Sequence, residues 1–464
     1  MKRPHTILVQ TALAALLVAG GCATSAAPAP AAVTAVEPAS AAVTAEMIDE
    51  AFLYGYGIYE FARFATSGST SVGRKVNVIG HRRVLSDHTH RNVTAPNMDT
   101  LYSSAILELS GGPVEVITPE APDRYHSIAF MDMFTDNFEI LGTRNGGGHE
   151  ARYWVVGPGW QGEAPEGVNL IRSRTNDVWM LGRTLVRGSH DLEAALSVQS
   201  QIRLEKVAGR GEDRPFGFTA PPVADPETFL MTVNAMLGRT DLSDGQGARA
   251  AAFAAVGIRP GDTEAWAKLD PEVRAIWTER FAGNLQQLRE NAEAMMVTRN
   301  GWRAAPPGVG DFGDNDRLRA SVALWGLAAL SSDEATYFRT SKDEGGATLD
   351  GSKAYRFTIP AEGVPVDAFW SLTMYAEQPD GRFFLVDNPI GRYSVSDRVP
   401  GVTPGPDGSY TFYLQNEAPA GATVANWLPT PDGPFMVSFR AYLPRPELFE
   451  TEWTPPPLVP STPE

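Results

Sequence analysis

Two stretches of this chain read as successive β-strands, and a stretch of helical composition separates them; that alternation limits the fold more than any other feature. In the first, Thr100–Leu109, Val114–Ile117, Tyr125–Phe134, Tyr153–Val156 and Val178–Val186 are apolar or alternating runs. Gly111-Gly112-Pro113, Gly146-Gly147-Gly148 and Gly157-Pro158-Gly159 divide them, because glycine and proline supply the turn geometries that strands cannot. The second stretch holds Tyr355–Ile359, Phe369–Ala376, Phe383–Val386, Ser409–Gln415 and Phe435–Leu443. Between them Asp191–Val207, Asp225–Leu237, Gly247–Val256, Thr263–Met296 and Asp316–Leu330 have helix composition, broken at Pro215–Pro222 and Pro306-Pro307. A helix also leads the first stretch: Thr44 is a capping residue with Glu46 in the first turn, and Ile48, Ala51, Phe52, Gly55, Ile58, Tyr59 and Ala62 follow at helical spacing.

The pattern predicts an α+β protein with two antiparallel β-sandwich domains, jelly-roll-like, linked by a helical segment. The expected divisions are a leading helix and first sandwich over residues 44–190, a helical middle over 191–340 and a second sandwich over 341–464. A chain of 464 residues is long enough for more than one core. A short internal repeat supports the pairing: His126-Ser127-Ile128-Ala129-Phe130-Met131 parallels Trp370-Ser371-Leu372-Thr373-Met374-Tyr375, and each region ends in a strand with a lone arginine among apolar neighbours, Arg183 and Arg440. The Pro-rich tail from Trp453 is expected to lie extended over the surface.

The formal charge of −16 argues against nucleic acid, whose phosphates need a basic surface. The only cysteine, Cys22, rules out an intramolecular disulfide. It follows a basic start at Lys2 and Arg3, an apolar run from Thr6 to Ala19, and the small residues Gly20 and Gly21. That arrangement is similar to the cleavage site of bacterial lipoproteins, so residues 1–22 read as a lipoprotein signal peptide with Cys22 as the lipidated residue. Residues 23–43, rich in Ala and Pro, read as a tether. The expected location is the cell envelope, lipid-anchored at the outer membrane and facing the periplasm, with the membrane as partner through Cys22.

Ala95-Pro96-Asn97-Met98-Asp99-Thr100-Leu101-Tyr102 places an amide, a carboxylate, a hydroxyl and a phenol within a few residues. Asp99 is a candidate general base or metal ligand and Tyr102 a candidate proton donor, with Asn97 and Thr100 as substrate contacts. A turn in which Asn97 and Asp99 bond nearby backbone is the competing structural reading. Asp132 shares a strand face with His126, Ile128 and Phe130, and Arg183 shares one with Trp179, Leu181 and Leu185. A charge on an apolar face needs a partner, so an Asp132–Arg183 pair is expected, as a catalytic group or as a structural ion pair. Ser371, Thr373 and Tyr375 project from one strand face, lining a ligand cavity or facing solvent. Arg144, beside Thr143 and the glycines that follow, forms either an anion site or a mobile hairpin loop. His88 and His90 lie on one side of an extended segment and would hold a metal only with a third ligand, His149 or His81; an exposed polar loop is the competing and favoured reading. Gly308-Val309-Gly310-Asp311-Phe312-Gly313 has dinucleotide-site spacing but follows a Pro-Pro break instead of a strand. No cofactor is assigned.

The run from Asn97 to Tyr102, with Met131-Asp132-Met133 and Gly157-Pro158-Gly159-Trp160, resembles the domain of unknown function twelve fifty-four. Asp350-Gly351, Phe369 to Tyr375 and Asn426-Trp427-Leu428-Pro429 resemble its usual partner, domain of unknown function twelve fourteen. The resemblance runs from about Met47 to Pro457. It implies a two-sandwich protein with helical elements, often exported in bacteria, and implies no reaction. Three functions compete: an envelope hydrolase acting on a small or amphiphilic substrate, a non-catalytic ligand-binding lipoprotein, and an envelope assembly factor that uses the helical middle as its partner surface.

Overall fold

Thr44 opens the first helix, Ala45–Thr66, from an extended conformation, and its side chain accepts the N–H of Met47. This satisfies one of the donors that a helix start leaves free. The computed structural model describes residues 43–67, 75–222, 225–242 and 245–463. Cys22, the signal peptide and all of the tether before Val43 lie outside the described residues. Buried side chains occupy most of the circumference of Ala45–Thr66, including Ile48, Phe52, Ile58 and Phe61. It is therefore a core helix, and the helices Pro226–Leu237, Pro271–Ala294 and Asp316–Gly326 pack around it. Gly55 permits this approach, since a Cβ there would stand 2.8 Å from Cζ of Phe229. The long helix expected over Thr263–Met296 starts only at Pro271, capped by Asp270, and Ala265–Lys268 forms a separate 3-10 turn. Proline suits the first helical position and obstructs any later one.

Strands Gly80–Arg82, Thr100–Glu108, Asp177–Leu185, His126–Asp132 and Asn137–Gly142 lie side by side in that order and form the first sheet. Val168–Arg172, Arg152–Val156, Val114–Ile117 and Arg203–Lys206 form the second. The expected helix Asp191–Val207 stops at Gln199, and Arg203–Lys206 pairs with Val114–Ile117 beyond it. The third sheet runs Val297–Arg299, Trp302–Ala304, Ala335–Thr340, Phe435–Pro444, Val366–Glu377, Phe383–Leu385, with Ser394–Val395 also on Val366–Glu377. The fourth runs Trp427–Pro429, Tyr410–Gln415, Ala354–Ile359, Val459–Ser461. Here part of the tail departs from expectation: Val459–Ser461 adds an edge strand instead of only covering the surface. Pairing is antiparallel except for Arg152–Val156 with Val168–Arg172, and Tyr410–Gln415 with Trp427–Pro429.

Side-chain alternation divides the first sheet. Ala105, Leu107, Ile128, Phe130, Val178 and Met180 share one apolar cluster with Val114, Val116 and Val155 of the second sheet. On the other face, Ile106, Met131, Trp179 and Leu181 join the helical core. The rest of that face, Tyr125, Ala129 and Leu185, meets Phe369, Tyr442 and Leu443 of the third sheet. In the second half Leu372, Val437 and Phe439 of the third sheet cluster with Phe357, Phe412 and Leu414 of the fourth. Val43–Glu464 thus forms one compact unit, with a junction at which the two strand regions meet.

The repeat glimpsed in the sequence is a register match at this junction. Tyr102 stands opposite Arg183, and Arg183 opposite Ser127. Tyr337 stands opposite Arg440, and Arg440 opposite Ser371. Each sheet therefore carries a cross-strand Tyr–Arg–Ser row on its junction face.

Candidate functional site

The segment before Thr100 fastens the first half to the second. Ala95 takes a positive φ of 46°, and its carbonyl accepts from Nη2 of Arg440 at 3.2 Å. The Pro96 carbonyl accepts from the Tyr375 hydroxyl at 2.8 Å. Asn97 makes the expected turn, its Oδ1 accepting the Asp99 N–H at 2.6 Å, while its Nδ2 donates to the Tyr442 hydroxyl at 2.6 Å. Asp99 Oδ2 accepts from Ser371 Oγ at 2.6 Å. The turn reading describes this run: Asn97 accepts the Asp99 N–H, and the same side chains reach the third sheet.

Arg440 is held at both terminal nitrogens. It donates to Thr373 Oγ1 at 2.8 Å and to the Tyr375 hydroxyl at 2.6 Å, besides the Ala95 carbonyl. Arg183 is not. Its Nη2 reaches the Ala328 carbonyl at 3.0 Å, its guanidinium stands 5.6 Å from the Tyr102 ring centre, and its buried Nη1 has no partner. Ala328, like Ala95, has positive φ, at 64°. Each arginine of the paired rows is thus held by the carbonyl of an alanine in the left-handed region. Burial pushes the hydroxyls of Tyr125 and Tyr442 well above the ordinary tyrosine range, and raises Tyr337 and Tyr375 as well. These phenols are neutral at physiological pH. Tyr442 stacks on Phe369 with ring centres 4.1 Å apart, and Tyr125 meets both edge-on. Beside this stack opens a cavity of about 260 Å³, lined by Phe369, Trp370, Asp397, Arg398 and Tyr410 among others.

The junction gathers Asn97, Asp99, Thr100, Tyr102, Arg183, Ser371 and Tyr375. Ser371, Thr373 and Tyr375 are fully buried against the first half and do not face solvent. Asp132 lies elsewhere, and its expected pair with Arg183 does not form. Asp132 is registered with Val178 and Arg183 with Ser127, so the two project from opposite faces. Asp132 Oδ2 accepts instead from Arg174, at 2.5 and 3.0 Å, and Arg174 also reaches Asp136 at 2.7 Å. Arg319 and the backbone N–H of Phe312 complete the partners of Asp136. The glycine run Gly308–Gly313 closes this corner: the Gly310 carbonyl accepts from the Asn137 N–H, and the Gly313 carbonyl from Arg319. Its spacing serves a loop around a buried ion network.

Arg144 is not a free anion site. It pairs with Glu334 at 2.8 Å and Asp333 at 2.6 Å, and Glu334 in turn accepts from the Tyr125 hydroxyl at 2.9 Å. Its charge is already neutralised, and the contact joins the two halves. His88 and His90 turn to different partners, His88 Nδ1 to the Tyr393 hydroxyl and His90 Nδ1 to Asp87, each at 2.9 Å. Among the described residues no group of three or more His, Cys, Asp or Glu is placed to hold a metal ion.

Tyr337, Arg339, Arg440 and Tyr442 are junction residues that sequence reasoning left out of the site. Tyr337 and Arg339 lie on Ala335–Thr340, a strand that alternation in Ala-Thr-Tyr-Phe-Arg-Thr hides because both faces carry polar atoms. The usable signal was the repeat: extending it from Arg183 and Arg440 to the neighbouring strand identifies Tyr337 as the counterpart of Tyr102.

Comparison with known proteins gives a consistent picture. The family described as Protein of unknown function (DUF1254) matches residues 76–206, and Protein of unknown function (DUF1214) matches residues 334–446. No curated protein matches the chain. Among solved structures, the VPA0106 protein from Vibrio parahaemolyticus is 24% identical with a TM-score of 0.72, over 90% of this chain and 100% of its own. An uncharacterised protein from Burkholderia cenocepacia is 14% identical with a TM-score of 0.39, over 90% of this chain and 91% of its own. The first likeness shows a shared fold.

Proposed function

The chain belongs to the family that carries the DUF1254 and DUF1214 domains in tandem, and from that premise we propose that it is a cell-envelope lipoprotein that binds a small molecule at the junction of two β-sandwich halves. The sandwich reading is supported by the apolar cluster shared by the two sheets of each half. The envelope reading, lipid-anchored through Cys22 at the outer membrane and facing the periplasm, is supported by the basic start, short apolar run and small residues before the only thiol.

One observation carries binding ahead of hydrolysis: polar and cationic groups of both sheets face one another at the junction, while the carboxylates that catalysis would use are already engaged. Asp99 holds Ser371, and Asp132 holds Arg174 on the other face of the sheet. The hydrolase reading keeps one specific support, the Ser371–Asp99 contact, but Ser371 is fully buried and offers a substrate no approach. The test uses the full chain purified from membranes in detergent. Native mass spectrometry is expected to reveal a co-purifying small molecule that unfolding releases unchanged. A released product of altered mass would favour the hydrolase. A protein that carries no molecule, and whose melting no member of a small-molecule library shifts, would remove the binding reading. Cys22→Ala is expected to abolish acyl-chain labelling and membrane retention.

A further inference from the structure

We infer that the junction binds a small organic oxyanion, a carboxylate or a phosphate, between Arg183 and Arg339; this rests on the binding reading above and names its ligand class. The argument begins with a charge imbalance. Arg183, Arg339 and Arg440 belong to the paired rows or adjoin them, and among the described residues none has a carboxylate within ion-pair distance. Asp99 is the junction's nearby acid, and it accepts from Ser371. Glu334 is committed to Arg144. Protein interiors pair their buried charges, because an uncompensated ion forfeits its hydration.

The two arginines differ from Arg440 in what they leave open. Arg183 is only 5% exposed, yet its Nη1 has no hydrogen-bond partner. The Tyr102 ring at 5.6 Å offers a π face to the charge but no acceptor for that N–H. Arg339 makes no hydrogen bond or ion pair among the described residues. It sits opposite Ser438, one step along the same face from Arg440, so two like charges are diagonal neighbours. Burial and Arg440 act against the Arg339 charge, while Tyr375, Tyr337 and the more distant Glu293 act in its favour. Ser438 Oγ is itself buried without a partner. Tyr337 is an electrostatic neighbour of Arg183 and of Arg339.

Access distinguishes a site from a packing defect. Tyr102, Tyr337 and Arg339 are half-buried and keep accessible surface, so solvent reaches the junction at these side chains. An oxyanion there supplies both missing items, negative charge and acceptor lone pairs, and arginine forks match carboxylate and phosphate geometry. The phenol rings of Tyr102 and Tyr337 would flank the organic part.

The experiment titrates the full chain in detergent with sodium phosphate, sodium benzoate and neutral benzamide at constant ionic strength, reading heat of binding and melting temperature. Benzoate or phosphate is expected to bind saturably and raise the melting temperature, and benzamide to do neither. Which of the two oxyanions binds decides between carboxylate and phosphate. Arg339→Gln is expected to weaken binding at least about tenfold, the loss of one charge-assisted contact. The same substitution is expected to raise the melting temperature of the ligand-free protein, which a purely structural arginine would not do. Arg183→Gln is expected to weaken binding similarly, and should it fail to fold, Arg339→Gln carries the test alone. Unchanged oxyanion affinity in Arg339→Gln overturns the site. If no oxyanion binds while the protein carries a neutral molecule, the ligand class falls and the binding reading survives; if nothing binds, both fall.

Discussion

Asp132 and Arg183 have the same problem, a charge on an apolar strand face, and solve it differently. Asp132 finds Arg174 just beyond its own sheet, in an ion network that runs on through Asp136 and Arg319 to Asp316 and Arg249. Arg183 finds a carbonyl, a ring and an empty Nη1. The first arrangement leaves its charge paired, and the second leaves a donor without an acceptor. Burial pushes the Asp132 carboxyl up to about 6, with Arg174 pulling against it. The folded protein therefore holds that proton more tightly than the unfolded chain does. The contribution of Asp132 to stability is greatest below the unfolded value near pH 4 and is lost as pH rises through 6, a change of about 3 kcal/mol. The stability of wild type relative to Asp132→Asn, measured by urea unfolding, should fall by about 2 kcal/mol between pH 4 and 6, the part of that change which lies in this window. A difference that stays flat would show that Arg174 holds the carboxylate ionised throughout.

Elements are held by close approaches that admit no side chain. Gly351, between the third and fourth sheets, donates its N–H to the Gly433 carbonyl at 3.0 Å, and a Cβ there would stand 1.5 Å from the Pro431 carbonyl oxygen. The obstacle is backbone, which cannot rotate away. Gly351→Ala is expected to cost at least about 3 kcal/mol, toward the upper end for overpacking. Chemical denaturation followed by tryptophan fluorescence measures it, and a loss below about 1 kcal/mol would mean that the loop of Pro431 shifts freely. At the same scale, the matched Tyr–Arg–Ser rows show why the short sequence repeat is real. Strand parity and register give both halves the same row on the junction face, while the turns between their strands differ.

For the whole molecule, the helical middle is a wall of the core. Ala45–Thr66 precedes the first strands in sequence but packs on helices from beyond residue 225, and Ile106, Trp179 and Leu181 of the first sheet close the same cluster. Residues 44–190 expressed alone should therefore expose that face, bind a hydrophobic dye and lack a fixed tertiary signal in near-ultraviolet circular dichroism. A fragment that melts cooperatively without binding dye would show that the helical layer is dispensable to the first half.

The sequence by itself determined the class of the fold, the place of most strands, the capped start of the first helix and the family, because turn residues, capping residues and alternation are local signals read within a few positions. It also brought out Asn97, Asp99, Tyr102, Arg183, Ser371 and Tyr375 as polar residues in unusual company. Which of these meet was decided by tertiary structure. An odd register offset separates Asp132 from Arg183, a strand with no clear alternation brings Tyr337 and Arg339 into the junction, and Glu334 reaches across the halves to claim Arg144. Contacts between residues so far apart in the chain depend on how sheets face one another, and no local pattern encodes that.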